Sequence, residues 1–237
     1  MVPETWFRLY CGPAPLPADI GWRWNLDPLL LIALAAMALL LRHSRAGLAG
    51  VAVMAVAFVS PLCALSAALF SARVVHHVLL VAVAAPLLAL ARPARTAASP
   101  TLPLLVAALV LWVWHWPAAY DLALSFVPAY WLMQATLLGS AVLFWRATLH
   151  PAQGTGPALL AILGGWMQMA LLGALLTFAP EPLYAAHAAA PLAWGLSPLT
   201  DQQLGGLLMW VPAGLPYLLL AAWAARRDWA DLRGHAA

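Results

Sequence analysis

The residues with most chemical reach in this chain are His76 and His77, which follow Arg73 by three and four positions and head an apolar run lasting to Ala91. Polar groups at such a depth are costly in hydrocarbon, so by default they mark a functional site. Helical spacing places Arg73, His76 and His77 on one broad face. The chemistry open to paired imidazoles there is metal ligation or axial binding of a haem. The ordinary alternative is that Arg73 snorkels to the headgroups and the histidines are wetted interfacial residues.

A third imidazole, His115, stands in Trp112-Val113-Trp114-His115-Trp116-Pro117. The tryptophans read as an interface belt, which puts His115 at the depth expected for His76 and His77. The segment Trp194–Pro216 is the other dense stretch. Its Thr200 with Gln203 fits a capping box, and Ser197 with Pro198 fits an alternative cap. Capping does not explain Met209, which shares a helical stripe with Gln202, Gly205 and Pro212. Thioether, imidazole and thiolate form the ligand set suited to Cu(I), and Met209, the three histidines and Cys63 supply all three. Asp201, beside them, is a candidate for orienting or admitting the ion. Each methionine by itself reads equally as gap filler, as do Met167 and Met169.

The elements that must position these groups follow from composition. The chain is 65% hydrophobic and only 8% charged, so it reads as an all-α polytopic membrane protein. Apolar runs predict seven transmembrane helices, near Pro28 to Leu41, Gly47 to Leu62, Val74 to Ala91, Leu102 to Tyr120, Val127 to Trp145, Pro157 to Phe178 and Gln203 to Ala225. No repeat or long linker divides residues 1–237, which read as one membrane domain. All cationic side chains are arginine. Arg42, Arg45, Arg92, Arg95, Arg146, Arg226, Arg227 and Arg233 fall on one side and Arg8, Arg23 and Arg73 on the other. That bias predicts an outer amino-terminal segment, residues 1–27, and a cytoplasmic tail, residues 226–237. It also gathers Cys11, Cys63, His76, His77, His115, Asp121, Glu181, His187 and Asp201 on the outer side, with His43, His150 and His235 elsewhere.

Several classes are argued against. Without lysine there is no retinal Schiff base, and no acidic residue falls inside a predicted span to relay protons. Motifs for covalent haem, zinc proteolysis and phosphate binding are missing. Scattered arginines predict no nucleic-acid contact. Two cysteines are too few for a disulfide framework, and the polar, Pro-rich amino terminus predicts no cleaved signal peptide.

The stretches SPLCALSAALFSARVVHHVLL, WHWPAAYDLAL and PLYAAHAAAPLAWGLSPLTDQQLGGLLMWVPAGLPYLL resemble the CtaG family of caa3-type cytochrome c oxidase assembly factors. The similarity runs from the second predicted helix to the seventh. It implies a non-catalytic bacterial plasma (inner) membrane protein, needed for haem-copper oxidase, that binds copper on the outer side and delivers it to an oxidase subunit. His77, His115, Asp201, Gln202, Gln203, Met209 and Trp210 match recurring family positions. Cys63 stands where many relatives carry an acidic residue, and Met133-Gln134 where they carry Glu-His. The expected metal set is His76, His77, His115, Met209, Cys63 and Asp201, with copper as the ion. Expected partners are an oxidase subunit, a periplasmic copper chaperone, membrane lipids and a second copy of the chain. The rival readings are a haem-binding membrane protein, with His77 and His115 axial, and a metal-free scaffold for an oxidase subunit.

Overall fold

The computed structural model describes residues 8–94 and 96–235, the last eight of these as backbone only. The start of the expected outer segment, Arg95, and the side chains of Arg233 and His235 lie outside the described residues. Among the described residues eleven α-helices follow in order: α1 Pro28–Leu40, α2 Arg45–Val59, α3 Pro61–Ala68, α4 Phe70–Val78, α5 Ala85–Ala91, α6 Thr101–His115, α7 Pro117–Ser125, α8 Val127–Thr148, α9 Thr155–Phe178, α10 Pro198–Trp210 and α11 Gly214–His235. A π-helical turn, Leu79–Ala84, joins α4 to α5. Among the described residues there is no strand.

Serine and proline set most of the helix starts. Ser44 caps α2 through the N–H of Gly47, and Ser60 caps α3 with Pro61 at its first position. At α10 Ser197 is the cap, accepting from Thr200 N–H, with Pro198 next. The Thr200–Gln203 box is therefore not the one used, because Pro198 already starts the helix before Thr200.

Prolines also break helices that composition alone leaves continuous. Ser60 and Trp116 each precede a proline and are extended, so α2 and α3 meet at a 51° bend and α6 and α7 at 75°. Among the described residues four helices are long and apolar enough to cross a membrane: residues 70–91, α8, α9 and the α10–α11 run; counting each bent pair as one span gives six. The helix expected to cross first, α1, has 13 residues. At 1.5 Å per residue it covers about 20 Å, short of the roughly 30 Å hydrocarbon core. Exposed leucines such as Leu160 and Leu219, each 71% accessible, leave an apolar exterior fit for lipid.

Helix α10 lies between α9 and α4, while α8 packs on both α6 and α5. The α9–α10 crossing is close because glycines face each other. A Cβ on Gly206 would sit 2.6 Å from Gly173 O, and one on Gly173 would sit 2.7 Å from Gly206 O. Pro86 has no N–H to offer the ladder at Ala82, which accounts for the π turn just before it. Within that turn the Val81 carbonyl accepts from Trp145 Nε1 of α8 at 2.9 Å. The span thus starts at Phe70, four residues earlier than the apolar run suggests, and draws Arg73 inside at 6% exposure. This overturns the snorkelling alternative for Arg73.

The arginines expected on the inner side gather at one end. Arg92 donates to Leu40 O, Arg146 to Pro93 O and Arg227 to Leu149 O and Gln153 O. The histidine-rich end is built from α3, α4, α7, the amino-terminal segment and the loop between α9 and α10.

Candidate metal centre

The two parts of the candidate site are held by unrelated devices. Helix α4 begins at Leu69, which has no side-chain oxygen to cap it. Asp201 of α10 does so in its place, accepting from Phe70 N–H at 2.6 Å, Ser71 N–H at 3.1 Å and Ser71 Oγ–H at 2.5 Å. Fully buried, this carboxylate fixes the phase and height of Arg73, His76 and His77. His115 ends α6, and its Nδ1–H donates to Leu111 O at 2.8 Å. That bond leaves Nε2 as the free ring nitrogen.

The two devices bring His77 and His115 together edge to face, with ring centroids 5.5 Å apart. A cavity of about 20 Å³ lies between α4, α6, α7 and α8, lined by Arg73, His76, His77, His115, Tyr120, Met133 and Gln134, among others. That volume holds one water or small ion. Nε2 of His76 and Nε2 of His77 are both buried without a hydrogen-bond partner. Orphaned buried nitrogens are uncommon, and two on adjacent residues need an explanation. His77 also lines a second cavity, of about 50 Å³, between α6, α8 and α9.

The rest of the expected ligand set lies elsewhere. Cys63 is joined to Cys11 in a disulfide, so it offers no thiolate. This corrects its reading as a ligand, and a single bridge is what two cysteines too few for a framework still form. Asp201 has its oxygens committed to the start of α4. Met209 is buried against Gly173 of α9 and does not line the histidine cavity. Among the described residues, no three His, Cys, Asp or Glu side chains are placed to hold one metal ion. What the fold assembles is a histidine pair, with a third imidazole and the Met133 thioether in the same lining.

Met133 and Gln134 occupy the place where the family resemblance implied a Glu-His pair, and both face the histidines. Tyr120, Tyr130 and Arg73 are the residues that sequence reasoning undervalued. Arg73 lies over the Tyr130 ring, its Cζ 5.0 Å from the centroid. The belt tryptophans also do more than mark an interface. Trp112 Nε1 donates to Gln168 of α9 and Trp114 Nε1 to Thr136 of α8, while Trp116 is exposed.

The α9–α10 loop closes the site. Asp121 of α7 accepts from Ala185 and Ala186 N–H, and Gln202 Oε1 accepts from Leu183 N–H at 2.6 Å. Tyr184 donates to His115 O, and His187 Nε2 meets Tyr120 OH at 2.8 Å. Burial pushes the His187 imidazole down to about 4, with Arg73 adding to the effect and the Ala68 carbonyl at Nδ1 opposing it. The amino-terminal strap lies alongside. Tyr10 stacks on Tyr130 and meets Trp131, its hydroxyl donates to Asp27, and Trp194 Nε1 reaches Pro15 O.

No curated protein and no solved structure matches the chain. The family model described as cytochrome c oxidase caa3 assembly factor (Caa3_CtaG) matches residues 34–100 and 92–231. That family is one of assembly factors rather than enzymes, and its target is an oxidase. With those matches spanning most of an all-helical, membrane-type chain, this protein belongs to the caa3-type cytochrome c oxidase assembly factor family.

Proposed function

We propose that this protein is a non-catalytic copper-handling factor that holds Cu(I) between His77 and His115 and passes it to a subunit of the haem-copper oxidase. The observation that carries the reading is the buried, unpartnered Nε2 of His77 beside His115, whose own Nε2 is freed by the Nδ1 bond to Leu111. Two imidazole nitrogens and the Met133 thioether form a soft, low-coordinate set that suits Cu(I). His76, fully buried in the same lining, adds a third imidazole. Met209, Cys63 and Asp201 are left with structural roles.

In this reading the chain is one seven-helix domain of the bacterial inner membrane, with α1 inserted as a partial span. Its histidine end faces outward, where a copper chaperone can load it and the oxidase subunit can receive the ion. The cavity of about 20 Å³ has room for an ion but not for a porphyrin, which weighs against the haem reading. The small residues Gly205 and Gly206 are already covered by Phe70 and by Thr177 with Gly173, which weighs against their use as a scaffold face for another protein.

Metal analysis of detergent-purified protein after Cu(I) loading tests the reading. One copper per chain without a Soret band is expected, and His77→Ala with His115→Ala reduces it to background. Unchanged copper stoichiometry in the double variant overturns the site.

A further inference from the structure

The arginine end of the bundle carries a groove that copper handling does not use. Helices α1, α5 and α8 border a cavity of about 260 Å³ there, walled by Met37, Leu40, Leu88 and Val142 and edged by Arg92 and Arg146. Each arginine makes one long bond to a carbonyl, Arg92 Nη2 to Leu40 O at 3.3 Å and Arg146 Nη2 to Pro93 O at 3.4 Å. A carbonyl occupies a donor but cancels no charge. Among the described residues no carboxylate pairs with either guanidinium, and Arg146 Nε is buried with no hydrogen-bond partner. Arg227 stands at the same end on α11, beside Asp228, whose side chain lies outside the described residues, and it is no part of this groove.

The depth of the groove bears on what completes it. Arg92 directly follows the span 70–91, and Arg146 is in the last turn of α8, so both stand where hydrocarbon gives way to headgroups. We propose that the groove binds one anionic glycerophospholipid, its phosphate held between Arg92 and Arg146 and one acyl chain lying along Met37, Leu40, Leu88 and Val142. The inference goes beyond the copper reading and does not depend on it. Charge complementarity selects the headgroup, since a phosphate accepts from several guanidinium N–H groups at once and Arg146 Nε is a donor still to be used. The wall selects the chain. Its four apolar side chains offer neither donor nor acceptor, and an acyl chain asks for none. A peptide laid in the same groove would bring backbone N–H and C=O groups that such a wall leaves unpaired.

Native mass spectrometry of the full-length protein in detergent, given equimolar phosphatidylglycerol and phosphatidylcholine with identical chains, tests the site. One phosphatidylglycerol per chain is expected, in clear preference to phosphatidylcholine, and parity between the two overturns the proposal. Each arginine is expected to contribute about fivefold to the preference, so Arg92→Gln and Arg146→Gln each lower it by that factor and the double variant approaches parity. Arg42→Gln changes a cation near the end of α1 that does not line the groove, and is expected to leave the preference intact. An equal fall there shows attraction to the whole basic end and overturns the site. The double lysine variant separates lost charge from lost folding: it is expected to keep most of the preference, and parity there too overturns the charge assignment. Val142→Trp fills the groove without altering charge and is expected to weaken phosphatidylglycerol binding. Undiminished binding in that variant, or displacement of the lipid by an equal concentration of glycerol phosphate, marks a site for free phosphate and overturns the lipid.

Discussion

Single residues in this protein act at a distance in sequence, and Asp201 shows how. Its carboxylate serves backbone N–H groups 131 and 130 positions earlier, so no local pattern around it announces the role. Removing it strands three buried donors at the head of α4, each worth about 1–3 kcal/mol when left unpaired. Asp201→Ala is expected to lower the thermal midpoint sharply and to release copper, while Asp201→Asn, keeping one acceptor oxygen, is expected to recover part of both. His187 makes a pH prediction. Its folded value of about 4 lies below the ordinary imidazole value of 6.5, so between those limits the unfolded loop binds a proton that the folded loop does not. The contribution of His187 is therefore complete at neutral pH and falls as the pH drops from 6.5 to 4. Hydrogen exchange at residues 184–188, corrected for intrinsic rates, is expected to quicken by up to about tenfold per pH unit across that window. A flat profile there, or the same profile in His187→Gln, contradicts the assignment.

At the scale of helices, the crossing of α9 and α10 sets where Asp201 and Gln202 stand, and it depends on bare backbone. A Cβ on Gly206 or Gly173 would be forced against opposing backbone atoms, whereas one on Gly139 of α8 meets nothing within 4 Å. Gly206→Ala and Gly173→Ala are each expected to destabilise by about 1–3 kcal/mol, the range for overpacking. Gly139→Ala is expected to be neutral or mildly stabilising. Equal melting of all three variants contradicts the account. Much at this scale was legible in the chain itself: the apolar runs mark the helices, and Ser-Pro pairs mark their starts. The breaks at Ser60 and Trp116 were less so, since Pro61 and Pro117 lie in runs whose hydropathy continues past them. The burial of Arg73 is not legible either, since the apolar run begins only at Val74 and a charge at its entrance reads equally as snorkelling, while the fold buries it against Tyr130.

The whole molecule separates its chemistry by end. Arginines bind backbone carbonyls at one end, and the histidine cavity, loop and disulfide-tied strap fill the other. The shared depth of His77 and His115 could be read from the chain, because both stand near the same end of neighbouring helices. Their partners could not. Met133 stood out only as a departure from the family pattern, and Cys11 meets Cys63 across 52 positions that carry no pairing signal. The proposed outward histidine end is checked in intact spheroplasts: after mild reduction, a membrane-impermeant maleimide is expected to label Cys11, the less buried partner of the disulfide. Labelling only after lysis reverses the orientation. The π turn at Leu79–Ala84 has a further consequence, one of angular phase. It closes over one residue more than an α turn, and each residue of a helix advances about 100°. Deleting one residue there to restore regular winding turns Arg73, His76 and His77 by roughly that angle relative to Pro86 and the arginine end. His77 meets His115 in a span wound with one residue more than a regular α-helix.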